Sequence, residues 1–143
     1  MDVLLMNAPV KGQSRHACLT PPLGLSYIAA VLLEAGYEVS ALDCNVSGFD
    51  AARVRRIIET ERPRVLGISA HTETYLNGLK IAGIAREVDP GIRVVMGGTH
   101  LTVMCREAAG EPNIDVVVRG EGEYAMLELA GHFIRGEGSL ADI

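Results

Sequence analysis

The chain has 143 residues, 48% hydrophobic and 22% charged, which suits one globular domain with its own core and excludes a disordered segment. Lys+Arg 13 against Asp+Glu 18 gives a net charge of −5, so no basic field points to a nucleic-acid partner. The longest uncharged run, His16 to Leu33, is broken by Thr20, Pro21, Pro22 and Ser26 and does not read as a bilayer span; no basic-then-apolar leader follows Met1-Asp2, and the expectation is a cytoplasmic protein.

Short apolar runs alternate with longer stretches of helical spacing. Val3 to Met6 reads as a first strand, stopped by Asn7-Ala8-Pro9. Leu25, Ile28, Ala29 and Leu32 then predict a helix over 23–33, opened by Pro21-Pro22 with proline at its first position and closed by Gly36. A second strand follows over 38–43, and Asp50 can cap a helix carrying Val54, Ile57 and Ile58 that Pro63 terminates. Val65 to Ser69 lacks alternation and reads as a strand buried on both faces. The next helix spans 75–88 with Leu76, Leu79, Ala82 and Ile84 or Ala85 turned inward, before Asp89-Pro90-Gly91. A fourth strand over 92–96 is broken by Gly97-Gly98; a short helix over 101–109, a strand over 114–118 and a last helix over 122–134 complete the pattern. Five β-then-α units predict a single α/β, doubly wound, Rossmann-like domain: a five-stranded parallel sheet in flavodoxin-like order 2-1-3-4-5, with helices on both faces.

In that fold ligands sit beyond the carboxyl ends of the strands, where strand order reverses. The unusual residues cluster there: Asn7 to Gly12 and a loop of about a dozen residues after strand one, Ser69 to Tyr75 after strand three, Gly97-Gly98-Thr99-His100 after strand four, and Arg119-Gly120-Glu121-Gly122-Glu123 after strand five. Gly97-Gly98 lets a bulky ligand lie directly on backbone, or is a plain turn. The hydroxyls of Ser69, Thr72 and Thr74 can donate to a ligand at the mouth of the sheet. Glu121 and Glu123 either meet a ligand or only complement a helix dipole, and His71 and His100 are ligands or ordinary loop residues.

Several chemistries are excluded. The chain has no GxGxxG after strand one, no GxxxxGK[ST] and no GxSxG, and it offers Asn7 where receiver domains need paired acids. Cys18, Cys44 and Cys105 are too widely spaced for a zinc or iron–sulfur site and are expected to act as small buried hydrophobes.

Five segments in this order, Pro21-Pro22-Leu23-Gly24-Leu25, Ala35 to Val39, Gly67-Ile68-Ser69, Gly97 to His100 and Arg119 to Glu123, resemble the cobalamin-binding domain at the N-terminus of B12-dependent radical S-adenosylmethionine enzymes. The resemblance covers nearly the whole chain. It implies cobalamin contacts from Asn7, Pro9 and Gly12; from Leu23 and Gly24; from Ser69, Ala70, His71, Thr72, Glu73 and Tyr75; from Gly97, Gly98 and His100; and from Gly120, Glu121, Gly122 and Glu123. Of these, Tyr75 and His71 are expected to approach the cobalt side, and none is expected to be catalytic. Better-known B12 domains carry DxHxxG after strand one, whose histidine ligates cobalt; here Asn7-Ala8-Pro9-Val10-Lys11-Gly12 puts Asn for Asp and Pro for His. Cobalamin is therefore expected base-off and without that histidine. Ser69-Ala70-His71 stands for the family's SxL, with His71 in place of Leu. The resemblance further implies that residues 1–143 belong to a longer enzyme, whose barrel domain, in cis or as a partner subunit, holds a 4Fe–4S cluster and S-adenosylmethionine. Methyl transfer to an unactivated carbon or phosphorus is the implied reaction, with ring formation or rearrangement also known in the family. A flavodoxin-like flavin or nucleotide module and a cofactor-free docking domain are the competing readings.

Overall fold

All five expected strands form, and they pair in the expected order. The computed structural model describes residues 1–10, 21–47 and 50–143; Gly12, Cys18 and most of the long first loop lie outside the described residues. Strands β1 (Val3–Asn7), β2 (Val39–Asp43), β3 (Val65–Ser69), β4 (Arg93–Gly97) and β5 (Val116–Val117) build one parallel sheet in the order β2-β1-β3-β4-β5. Strand order reverses between β1 and β3. The register aligns Asn7 with Asp43 on one side and with Ser69 on the other, and Ser69 with Gly97. Four strands thus end level, on one ledge.

The central strands are apolar on both faces because helices cover both. On one face Leu4, Met6, Leu66, Ile68, Val94 and Met96 join the larger core. Three helices cover that face: α3 (Ala51–Glu61), α4 (Tyr75–Val88) and the short α5 (Thr99–Val103). On the other face Val3, Leu5, Val65 and Val95 pack with Leu25 and Leu32 of α1 (Leu23–Glu34) and Met126 and Leu129 of α7 (Glu123–Ala130). One-turn helices α2 (Cys44–Ser47) and α6 (Cys105–Ala108) fill the connections.

Local chemistry sets the element ends. The Asp50 carboxylate accepts from Ala52 N–H at 3.0 Å and caps α3. Gly36, at φ +82°, turns the chain after α1. Leu23 opens α1 as expected, and Pro22 sits at its cap rather than at its first helical position. The helix expected over 101–109 divides at Met104, whose φ −103° and ψ 34° leave helical geometry, into α5 and α6. The last helix passes at Gly131 into a wider π-type turn that Gly136 ends.

Two expectations are corrected. Leu76, expected inward, is exposed; the buried stripe of α4 runs through Gly78, Ile81, Ala82 and Ala85. A Cβ on Gly78 would come within 2.3 Å of Met96 Cε, so the helix rides close on the sheet at that glycine. Strand β5 has two residues rather than five. The Asp115 N–H still donates to Val94 O, but the Val94 N–H is taken by the Asp115 carboxylate at 2.7 Å rather than by a backbone carbonyl, so the strand begins at Val116, two residues later.

Candidate functional site

A cleft of about 770 Å³ opens at the ledge of strand ends and runs down the face of the sheet that α1 and α7 cover. Leu5, Gly67 and Val95, aligned across β1, β3 and β4, form its floor, with Met126 and Ile28 as walls. Gly67 keeps this floor low. A Cβ there would stand 2.7 Å from Leu5 Cδ2 and 3.3 Å from Met126 Cε. Such an apolar slot with polar groups gathered at its mouth is the usual form of a small-molecule site.

The mouth is built by the strand-end loops. Gly98 adopts φ +109°, and a Cβ on it would lie 2.5 Å from the Ala70 carbonyl oxygen, so only glycine lets the loops after β3 and β4 touch here. Thr102 ties this turn to the next. Its hydroxyl donates to Gly98 O at 3.1 Å and accepts from Gly120 N–H at 3.0 Å.

Asn7 marks the switch point, and its amide is occupied. Its Nδ2 donates to Asp43 Oδ1 at 2.8 Å, while its Oδ1 accepts from Cys44 N–H at 2.7 Å. Asp43 Oδ1 also accepts from Asn45 N–H, and Asn45 Oδ1 accepts from Val10 N–H at 2.9 Å. This chain of bonds fastens the start of the first loop to the end of β2. Below it the Cys44 thiol is buried; burial, aided by Asp43 and opposed by Arg53, pushes it up to about 11. Cys105 is half-buried, and Cys18 lies outside the described residues.

Beyond Ser69 the chain folds into a single 3₁₀ turn over Thr72–Thr74. Thr74 is buried, and its hydroxyl accepts from His71 N–H at 2.9 Å and donates to His71 O at 3.2 Å. That hydroxyl serves the loop itself. The two histidines of this edge pair crosswise with threonines: His71 Nδ1 lies 2.9 Å from Thr99 Oγ1, and His100 Nδ1 lies 3.2 Å from Thr72 Oγ1. Tyr75 stacks on His100 with ring centroids 4.2 Å apart. Its hydroxyl turns toward Glu111; burial, then the charges of Glu111 and Glu107, raise its pKa.

Of the sequence-predicted residues, Asn7, Leu23, Gly24, Ser69, His71, Gly97, Gly98 and the run Gly120, Glu121, Gly122, Glu123 line the cleft together. Pro9, Ala70, Thr72, Glu73, Tyr75 and His100 do not line it. Pro9 is buried and its carbonyl accepts from Asn77 Nδ2 at 2.8 Å. Ala70 is buried against Gly98, and Gly12 lies outside the described residues. Sequence reasoning missed Asn45 and Thr102, which line the mouth beside Thr99, and the floor residues Leu5, Val95 and Met126. The floor carried a signal in Gly67, a glycine inside an otherwise β-branched and leucine-rich strand. Among the described residues no group of three or more His, Cys, Asp or Glu side chains is placed to hold a metal ion. No described helix is long and apolar enough to cross a membrane.

Level strand ends over an apolar, glycine-floored cleft define a ligand-binding domain of the doubly wound class. The family model of the B12 binding domain matches residues 17–130, and the chain belongs to that family. An uncharacterized methyltransferase of Pyrococcus horikoshii is 33% identical over 139 residues, covering 95% of this chain and 30% of that protein. The anaerobic magnesium-protoporphyrin IX monomethyl ester cyclase of Rubrivivax gelatinosus is 38% identical over 111 residues, covering 76% and 20%. Among solved structures, the radical S-adenosylmethionine methyltransferase TsrM of Kitasatospora setae, with cobalamin and a 4Fe–4S cluster bound, superposes with a TM-score of 0.79 at 22% identity, over 97% of this chain and 28% of that one. The chain spans less than a third of the length of each of these proteins.

Proposed function

We propose that this chain binds cobalamin as the cofactor domain of a longer B12-dependent radical S-adenosylmethionine enzyme, and that the whole enzyme transfers methyl groups. The observation that carries this reading is the cleft: its apolar floor, lowered by Gly67, suits the benzimidazole tail of cobalamin, and its mouth at Gly97-Gly98 lets a bulky group rest on backbone. Ser69 at the ledge can bond the tail's polar atoms, and the carboxylates of Glu121 and Glu123 can accept from the neutral side-chain amides of the corrin ring. When bound, cobalamin supplies a cobalt–carbon bond from which a methyl group can be passed on. The residues of this chain bind and orient it and shield its tail from water.

Among the described residues the lining contains no Lys or Arg and two Glu. Two carboxylates at the mouth suit the neutral side-chain amides of a corrin better than the multiply charged phosphates of a flavin mononucleotide or a dinucleotide. Pro9 stands at the first-loop position of the usual cobalt-ligating histidine, and proline has no nitrogen lone pair to give. With its benzimidazole tail seated in the apolar slot the cofactor is held base-off, and no cobalt ligand comes from that position. A barrel domain beyond Ile143, with a CxxxCxxC cluster motif, completes the enzyme. The similarity to a ring-forming cyclase keeps cyclisation as the second reading of the whole enzyme's reaction.

The test is absorption spectroscopy after incubation with hydroxocobalamin and desalting. The chain should retain about one corrin per polypeptide, with a base-off spectrum on reduction. Ser69→Leu should weaken retention by about tenfold or more, equivalent to ~1.4 kcal/mol, with unchanged circular dichroism. Failure of both this chain and the polypeptide extended past Ile143 to retain a corrin at micromolar concentration overturns the reading.

A further inference from the structure

We propose that His71 supplies the lower axial nitrogen to cobalt, in place of the histidine that the first loop lacks; this rests on the cobalamin reading above. His71 follows β3 at the ledge beside the switch point, is exposed, and lines the cleft. Among the described residues it is the one imidazole in that lining, and no Lys or Arg joins it. The neighbouring His100 is withdrawn, paired with Thr72 and stacked on Tyr75.

The ring is held at both ends of its reach. Its backbone is pinned by the buried Thr74 hydroxyl, which accepts from His71 N–H and donates to His71 O. Its Nδ1 is fixed at 2.9 Å from Thr99 Oγ1, while Nε2 has no hydrogen-bond partner among the described residues. With Nδ1–H donating to the threonine, Nε2 keeps its lone pair. A metal-ligating histidine ordinarily has this arrangement, the non-ligating nitrogen being bonded to a partner that sets tautomer and ring orientation. Thr99 is then a positioning residue, and it too lines the cleft. The coordination step is a donation of the Nε2 electron pair to cobalt, with no change of oxidation state. The benzimidazole nitrogen that leaves cobalt stays with the tail in the apolar slot. At the described first-loop positions Asn7 is spent on Asp43 and Cys44, and Pro9 bonds through its carbonyl.

Electron paramagnetic resonance of the protein loaded with cob(II)alamin tests this. In unlabelled protein a coordinated nitrogen splits the cobalt hyperfine lines in three, whether it comes from histidine or benzimidazole. In protein carrying nitrogen-15 histidine the pattern should become two-line, and His71→Ala should abolish it. Replacing His16, His100 and His132 together by Gln should leave the two-line pattern intact, which decides the matter if His71→Ala holds too little corrin to measure. Thr99→Val should lower the nitrogen-coordinated share while corrin is still retained. A three-line pattern indifferent to the label, no nitrogen splitting, or a two-line pattern surviving in His71→Ala each overturns the assignment and leaves cobalamin binding standing. Absence of retained corrin overturns both.

Discussion

Asp115 does at the residue scale what a longer β5 would do at the element scale. Its carboxylate accepts from Val94 N–H and, at 2.8 Å, from Arg86 Nη2, with Arg93 at 3.4 Å. Burial alone would raise its pKa, but the Val94 hydrogen bond and the Arg86 guanidinium outweigh that and hold it below the usual carboxylate value. A depressed native pKa means that the unfolded state binds the proton more readily. The stabilisation is therefore complete above the unfolded value of about 3.9 and is lost as pH falls through that value and the lower native one. Asp115→Asn should cost about 1–3 kcal/mol at neutral pH and flatten the acid limb of a melting-temperature profile. An unchanged acid limb would mean that Asp115 does not anchor the sheet edge. Cys44 gives a second readout. With its thiol pushed up to about 11, roughly a thousandth is thiolate at pH 8, so peptide mapping after brief native thiol labelling should find Cys44 unmodified. Rapid native labelling would contradict its burial.

Among the elements, the strand-end turns carry the strictest demands. Gly98→Ala must accept φ +109° and move the Ala70 carbonyl, so it should cost more than about 2 kcal/mol in denaturant unfolding; a loss under half of that would show that the turn yields. Asn7→Ala removes both bonds that join the end of β1 to the end of β2 and should cost about 1–3 kcal/mol, with faster hydrogen exchange at Cys44 N–H. Strand order and most helix bounds were legible because apolar runs and their Gly and Pro stops are local signals. The inward face of α4 was misjudged at Leu76 because its stripe passes through Gly78, which counting hydrophobic residues cannot see. The division at Met104 and the shortening of β5 had no local signal. The first is a backbone excursion, and the second depends on Asp115 meeting Val94 and Arg86 across the fold. Within the site, glycines were readable as breaks, whereas Thr102 and Asn45 act through partners 18 and 35 residues away.

For the whole molecule, the cleft lies within the smaller of the two cores. A ligand that seats on Leu5, Gly67 and Val95 adds apolar contacts to α1 and α7 and binds the native state alone. Melting temperature should therefore rise with cobalamin concentration, by the equivalent of about 2.7 kcal/mol at a hundred times the dissociation constant. A melting temperature indifferent to cobalamin would mean that the native chain does not bind it.

Gly67 has a further consequence, which concerns how such a domain can change. It thins the sheet on one face only; on the other, Leu66 and Ile68 sit in an uninterrupted core with α3 and α4. What keeps the chain folded and what shapes the cleft are thus written into alternate residues of the same strand. Substitutions at the floor positions Leu5, Gly67 and Val95 can reshape the cleft while Leu66 and Ile68 keep their packing against α3 and α4, whereas Val65, Leu32 and Leu129 on the cleft side are core and stay constrained.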